Sequence, residues 1–432
     1  MRELQETAER PKRALLVSVR KAGTPDDSSL AGELAGLADT LGLEIAGQET
    51  VRVRENQPHY GMGSGKAEEL AEKARTLGVD CVVFDQDLSP SKQRNWEALS
   101  GVSVLDRREL IIQIFSSRAR TREAELQVSL AELVYALPRL SHKYIDLSRQ
   151  RGGRYGTKGS GETRLETDRR QIEERMGRLR LELTEVRRQR ELQRKKREKA
   201  ALPVCALVGY TNAGKSSLFN ALCALFGDDS QSRGAPVLVE DKLFATLDPT
   251  TRRIDRPGRR PILLADTVGF IRRLPHELVD AFRATLEEAV QADLLIHVLD
   301  AADPNIDAYY AATMEVLDHL GAGKKPMIVV LNKVDLVARS GPALRARYPG
   351  WAEESLAVSA RDGSGLPALL EKIEGAFEAP LLSFRFPPER HDLVALLHRS
   401  GNVLSETYPG DAILVEARPD RQTAEKLRDY LV

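Results

Sequence analysis

Apolar residues recur along this chain in different rhythms, and each rhythm predicts a different architecture. Between residues 14 and about 115, short apolar runs at 15–19, 43–53, 81–84 and 102–105 alternate with helical patterns. Strands separated by helices predict a small α/β domain over residues 1–120. A leucine seam at spacings of four and three comes next, through Leu126, Leu130, Leu133, Leu137 and Leu140. A second seam runs through Leu165, Ile172, Met176, Leu179, Leu183 and Val186, entered by Thr163-Arg164-Leu165-Glu166, which fits a capping box. Two such seams in succession predict an antiparallel helical hairpin over residues 121–200. Unbroken to Lys199, its second helix is about 50 Å long at 1.5 Å per residue. The strand and helix alternation then returns over residues 201–378, with apolar runs at 204–208, 263–265, 327–331 and 356–358. Residues 379–432 carry two strand candidates, 403–408 and 412–417, and a helix after Pro419, a small α/β appendage.

In the third unit, the residues directly after each apolar run carry the chemistry. After residues 204–208 stands Gly209-Tyr210-Thr211-Asn212-Ala213-Gly214-Lys215-Ser216, then Ser217 and a helical stretch. This G-x-x-x-x-G-K-S spacing, between strand and helix, lets successive backbone N–H groups converge on phosphates at a positive helix end. Lys215 reaches the β- and γ-phosphates, and the Ser216 hydroxyl can ligate magnesium. After 263–265 comes Asp266-Thr267-Val268-Gly269. There Asp266 can hold magnesium through water, and Gly269 can lend its N–H to the γ-phosphate. After 327–331 comes Asn332-Lys333-Val334-Asp335, whose carboxylate can accept from N1–H and the exocyclic amine of guanine. Adenine offers neither donor, so Asp335 selects GTP. The Lys333 stem would lie along the base. Ser359-Ala360-Arg361 fits the loop that closes over it. Four such elements at the ends of successive strands predict a P-loop GTPase domain with magnesium and GTP or GDP as ligands.

A γ-phosphate sensor must lie between the phosphate loop and Asp266. Phe244-Ala245-Thr246-Leu247-Asp248 precedes Pro249-Thr250-Thr251. Thr246 is selected as sensor and magnesium ligand because Phe-x-Thr-Leu resembles the switch of Obg-like translation GTPases; Thr250 and Thr251 are the alternatives. Catalysis is then assigned to Lys215, Thr246 and Gly269. Phe270 occupies the place where Ras-type enzymes carry the glutamine that orients water. That predicts slow intrinsic hydrolysis, completed by a partner.

Charge changes the picture of the hairpin. The 64 Lys and Arg balance 64 Asp and Glu overall, but residues 149–200 hold 18 basic against 9 acidic side chains. The segment joining the two seams interleaves Arg149, Arg151, Arg154, Lys158 and Arg164 with glycines and Tyr155. Arginines can bridge phosphates, glycines allow close approach, and the tyrosine can stack on an unpaired base, a composition suited to folded RNA. A solvated loop is the alternative. Cys81, Cys205 and Cys223 lie in apolar stretches without metal or disulfide spacing and read as reduced core residues of a cytoplasmic protein. No signal-peptide core, membrane span or lipidation motif is evident. A second glycine-rich stretch, residues 61–67, misses the phosphate-loop spacing, with Tyr60 at the first glycine position and Ala67 at the hydroxyl position. It reads as a turn opening a helix over 67–77, with a phosphate or RNA-backbone contact as the alternative.

Together these motifs resemble the HflX family of ribosome-associated GTPases. The resemblance rests on GGRYGTKGSGETRLETDRR at 152–170, the loop at 209–216, LFATLDPTTR at 243–252, DTVGFIRRLPHELVDAFRATLEE at 266–288 and GMGSGKAEEL at 61–70. It implies binding to the large ribosomal subunit through rRNA, the hairpin loop reaching toward the peptidyl-transferase region, and splitting, recycling or rescue of stalled ribosomes under stress, or a part in subunit biogenesis. A monomer is expected. The competing classes are a GTP-dependent RNA-modification or assembly factor, and a regulatory GTPase acting on protein partners alone.

Overall fold

The first apolar run is a strand covered on both faces. β1 (Arg13–Lys21) sends Leu15 and Val17 to one side and Ala14 and Leu16 to the other, the period of two that a pleated strand imposes. The computed structural model describes residues 11–23, 28–140, 160–198, 202–226, 244, 250–256, 261–272, 288–337, 354–377, 381–419 and 421–432. β2 (Glu44–Val53), β3 (Cys81–Phe84) and β4 (Ser103–Leu105) complete a parallel sheet in the order β2-β1-β3-β4. Helices α1 (Ser28–Thr40) and α4 (Arg107–Arg118) cover the Ala14 and Leu16 face. On the other face lie α2 (Ser64–Leu77) and α3 (Pro90–Ser100).

Local signals set these helix ends. Asp106 caps α4 by accepting from the Glu109 N–H at 2.8 Å, and Ser89 caps α3 ahead of Pro90. Gly78 ends α2 at φ +58°, a left-handed position that glycine occupies without strain. In the glycine-rich stretch at 61–67, Gly61 to Gly63 form the turn and α2 already begins at Ser64, three residues earlier than expected. There Met62 and Ala67 are buried, and Lys66 pairs with Glu69 of the same helix at 2.6 Å.

The hairpin seams meet, with two corrections to the sequence reading. Leu126, Leu130 and Leu133 of α5 (Arg122–Ala136) pack with Leu179, Leu183 and Val186 of α6 (Ser160–Glu198), and Arg122 pairs with Glu182 at 2.6 Å. The first seam is shorter than expected, because α5 stops at Ala136 and Leu137–Arg139 form a tight 3-10 turn around Pro138. Proline lacks the N–H that would continue the helix, so Leu137 and Leu140 leave the seam. Helix α6 begins at Ser160, which places Thr163 and Glu166 inside the helix rather than at its cap. Its 39 residues span about 58 Å. Arg139 fastens the turn to the loop after β3, lying 3.5 Å over the Tyr135 ring and donating to the Leu88 carbonyl at 2.8 Å.

The second sheet runs β10-β9-β8-β5-β7-β6. Its strands are β5 (Val204–Val208), β6 (Thr250–Ile254), β7 (Ile262–Asp266), β8 (Leu294–Asp300), β9 (Met327–Asn332) and β10 (Leu356–Ala357). All neighbours are parallel except β6, which runs antiparallel to β7. Cys205 and Leu207 face α7 (Lys215–Phe226) and α9 (Leu366–Phe377). Ala206 and Val208 face the other way, toward Leu317 of α8 (Ile306–His319). That second core does not stop at the sheet's own helices. It is continuous with Leu34, Ile111 and Phe115 of the first α/β unit, so the two sheets share one apolar interior.

At the end of the chain, β11 (Leu382–Phe386), β12 (Gly401–Thr407) and β13 (Ile413–Pro419) form an antiparallel sheet in the order β11-β13-β12. Helices α10 (His391–Ser400) and α11 (Arg421–Lys426) accompany it. All three cysteines are buried and unbridged. Among the described residues no helix is long and apolar enough to cross a membrane.

Candidate guanine-nucleotide site

Parallel strands deliver their loops to one edge, and the four motifs expected at strand ends lie there. The phosphate loop follows β5, Asp266 ends β7, Asn332 ends β9, and Ser359 follows β10. Gly209 and Gly214 have φ of +145° and +86°. A methyl group at Gly214 would lie 2.3 Å from Asn332 Nδ2, and one at Gly209 would lie 2.2 Å from the Val298 carbonyl oxygen. Glycine is therefore required twice, for backbone angle and for close approach.

Lys215 is buried and donates to the carbonyls of Gly209 at 3.1 Å and Tyr210 at 2.7 Å. Burial pulls its pKa down to about 8, against the opposing pull of Asp266. A phosphate entering the loop restores the charge that burial disfavours. Ser216 Oγ donates to Asp266 Oδ2 at 2.7 Å. A hydroxyl and a carboxylate so close together are hard oxygen donors, suited to magnesium held directly by Ser216 and through water by Asp266. Gly269 is packed tightly, since a methyl there would lie 2.7 Å from Thr211 Cγ2 and 2.9 Å from Lys215 Nζ.

The base end is organised by Asn332 and Ser359. Asn332 donates from Nδ2 to the Ala213 carbonyl at 3.0 Å and accepts at Oδ1 from the Ala360 N–H at 3.1 Å. It thereby joins the phosphate loop to the base loop. Ser359 donates to Asp335 Oδ1 at 2.8 Å and accepts from the N–H groups of Arg361 and Asp362. Lys333 stands at φ +61° and its ammonium pairs with Asp300 at 2.8 Å. Its Cε lies 3.8 Å from the methyl position of Gly214, which stretches the stem across the floor between the two loops.

Other expected site residues turn away from this edge. Thr267 is buried and donates its hydroxyl to the Leu207 carbonyl at 2.5 Å, and Val268 joins the apolar core. Phe244 packs edge-on against Phe115 at 4.5 Å. Any contribution these three make to a nucleotide comes from their backbone. Val334 hydrogen-bonds through its N–H to Val358, while Arg361 is exposed. Ser217 lies in the first turn of α7. Phe270 is buried, with its backbone paired to the phosphate loop: its N–H donates to Gly209 at 3.1 Å, and its carbonyl accepts from Thr211 at 2.8 Å. The phenyl ring therefore fills the core.

Ala245, Thr246, Leu247 and Asp248 lie outside the described residues, as do Arg149, Arg151, Arg154, Tyr155 and Lys158. Arg164 belongs to α6, with its side chain likewise outside the described set.

Tyr210 was expected as a position of the phosphate loop, but the side-chain partners beneath the loop, and His297, were not foreseen. Tyr210 stacks on Tyr309 at 4.0 Å and donates its hydroxyl to Glu33, 177 positions earlier. His297, on β8, is fully buried and stacked on Tyr310 at 5.1 Å. Burial, then the nearby Lys215, hold its pKa down to about 3. No local pattern marks such residues, because their partners are distant in the chain.

Comparison with known proteins places these features in company. Residues 28–116 match the family described as GTP-binding GTPase N-terminal, 118–197 match GTP-binding GTPase Middle Region, and 204–333 match 50S ribosome-binding GTPase. The GTPase HflX of Akkermansia muciniphila is 45% identical over 446 residues, covering 100% of this chain and 99% of that protein. The GTPase HflX of Escherichia coli is 42% identical over 382 residues, covering 88% of this chain and 86% of the other. A crystal structure of a GTP-binding protein from the archaeon Sulfolobus solfataricus, in complex with GDP, aligns with 84% of this chain and 98% of its own. That alignment has 23% identity and a TM-score of 0.45.

Proposed function

The chain belongs to the HflX family of GTPases, and from that premise we propose that it is a magnesium-dependent switch that binds the large ribosomal subunit through rRNA. GTP binding and hydrolysis are the activity of the family. The observation that carries the reading is the joining of two parts. The nucleotide edge begins at β5, and the 39-residue helix α6, next to the basic segment, ends six positions before it.

In this reading Lys215 neutralises charge on the β- and γ-phosphates, and Gly269 offers its N–H to the γ-phosphate. Ser216, Asp266 through water, and Thr246 would hold magnesium, which would supply positive charge against that of the phosphates. Asp335, steadied by Ser359, accepts from guanine. With Phe270 in the core, a partner must orient the attacking water, so hydrolysis is slow alone and faster on the ribosome. GTP pins the switch segments and hydrolysis releases them. A ribosome that prefers the pinned form must tighten GTP binding by the same factor. Splitting, recycling or rescue of stalled ribosomes is the outcome this coupling serves best.

Sedimentation with purified large subunits tests the proposal. Co-migration should be strong with a non-hydrolysable GTP analogue and weak with GDP. Replacing Arg151, Arg154 and Lys158 with Ala should weaken it and flatten its salt dependence. Absence of co-migration with either nucleotide refutes the ribosomal reading and leaves the GTPase intact.

A further inference from the structure

The phosphate loop and the segment after Gly269 are tied to the first α/β unit by a closed ring of hydrogen bonds. Tyr210 Oη donates to Glu33 Oε2 at 2.5 Å and accepts from the Arg272 N–H at 2.9 Å. The other Glu33 oxygen pairs with Arg107, whose Nη2 donates to the Arg272 carbonyl at 2.8 Å. Glu33, Arg107 and Tyr210 are all buried. Both backbone polar groups of Arg272 are therefore held by a ring whose charged members, Glu33 on α1 and Arg107 on α4, come from the first α/β unit.

Arg272 stands three residues after Gly269, whose own position is pressed against Thr211 and Lys215. We propose that Glu33 is a positioning residue for GTP hydrolysis, acting through Tyr210 and the Arg272 backbone to keep the Gly269 N–H beside Lys215, where the γ-phosphate must be read. GDP has no γ-phosphate to meet Gly269, so the ring discriminates between the two nucleotides. A buried ring closed through Glu33, Arg107, Tyr210 and the Arg272 backbone suits this role, because removing one member leaves its ring partners unsatisfied in a dry interior.

The full chain without ribosomes provides the test, so failure here is separate from failure of the ribosomal reading. Affinities for fluorescent GDP and a non-hydrolysable GTP analogue, with single-turnover hydrolysis, are measured for Glu33→Gln, Tyr210→Phe and the double variant. Tyr210→Phe removes one oxygen and keeps the ring stack, so it reports even if Glu33→Gln folds poorly. Each single variant should weaken the GTP analogue by about fivefold or more while GDP affinity stays within about twofold, a size typical of coupling energies. Hydrolysis should slow in parallel, and the double variant should lose little beyond either single one. The proposal is overturned if Tyr210→Phe leaves the ratio of the two affinities unchanged, or if both nucleotides weaken equally alongside a lowered melting temperature.

Discussion

Ser359 Oγ donates to Asp335 Oδ1 across 2.8 Å, so the carboxylate proposed to read guanine is oriented by a buried serine from a different loop. Removing the charge of Asp335 should therefore do more than removing its support. Asp335→Asn is expected to weaken GTP by about 3 kcal/mol, roughly 100-fold, since two charge-assisted hydrogen bonds are lost. The same variant should gain affinity for xanthosine triphosphate, whose C2 carbonyl can accept from the new amide. Ser359→Ala should cost about 1 kcal/mol. Equilibrium titrations with both nucleotides decide it, and unchanged base preference in Asp335→Asn would remove Asp335 from the base site.

Lys215 gives nucleotide affinity a defined pH dependence. Its pKa of about 8 in the free protein must rise when phosphates surround it, so binding takes up a proton above pH 8. GDP affinity should hold steady near pH 7 and fall above about 8, by at most about tenfold per pH unit. Calorimetry at pH 8.5 in two buffers of different ionisation heat measures the proton uptake directly. Lys215→Met should bind weakly and without that uptake. Equal heats in both buffers for the parent protein contradict the assignment.

Restoring the residue type found in Ras-type enzymes should not restore their chemistry. Phe270 is buried with its backbone locked to Gly209 and Thr211, so Phe270→Gln places an amide in the apolar core. A loss of about 3 kcal/mol in stability is expected, with no gain in intrinsic hydrolysis. Urea denaturation and single-turnover rates test both halves. A tenfold faster variant of normal stability contradicts the placement of Phe270.

Gly214 links the two halves of the site. An alanine there needs φ +86° and would collide with Asn332 Nδ2. Gly214→Ala should cost about 3 kcal/mol in GDP binding, combining backbone strain with displacement of Asn332. Gly177→Ala on α6, where a methyl meets nothing within 4 Å, serves as the control. Equal GDP affinities in the two variants would falsify the close-packing argument.

Sequence legibility divides along the range of the interactions. β3 (Cys81–Phe84) falls on the apolar run expected for it, because burial on both faces writes a short continuous signal. Lys215, Ser216, Asp266, Asn332 and Asp335 were legible as candidates because phosphate and base contacts require fixed residue types at fixed spacing, and the fold brings their loops to one edge. β11 was not, since in Leu-Ser-Phe-Arg-Phe the alternation is as short as a loop segment. The hairpin's first helix was overextended because leucine spacing continued past Pro138 while the backbone could not. Glu33 and Arg107 left no trace at all. Each reads as a surface charge on an amphipathic helix until the fold brings Tyr210 and Arg272 against them.

The length of α6 turns small rotations into large excursions. Its Glu198 end sits just before the strand that feeds the phosphate loop, and its Ser160 end lies about 58 Å away. Treated as a stiff rod, it would sweep its far tip through about 5 Å for a tilt of roughly 5° at its base, a lever ratio set by helix rise alone. On the proposed ribosomal reading such a rod would amplify a rearrangement of ångström size at its base, and shortening it by whole turns should scale down its reach in proportion.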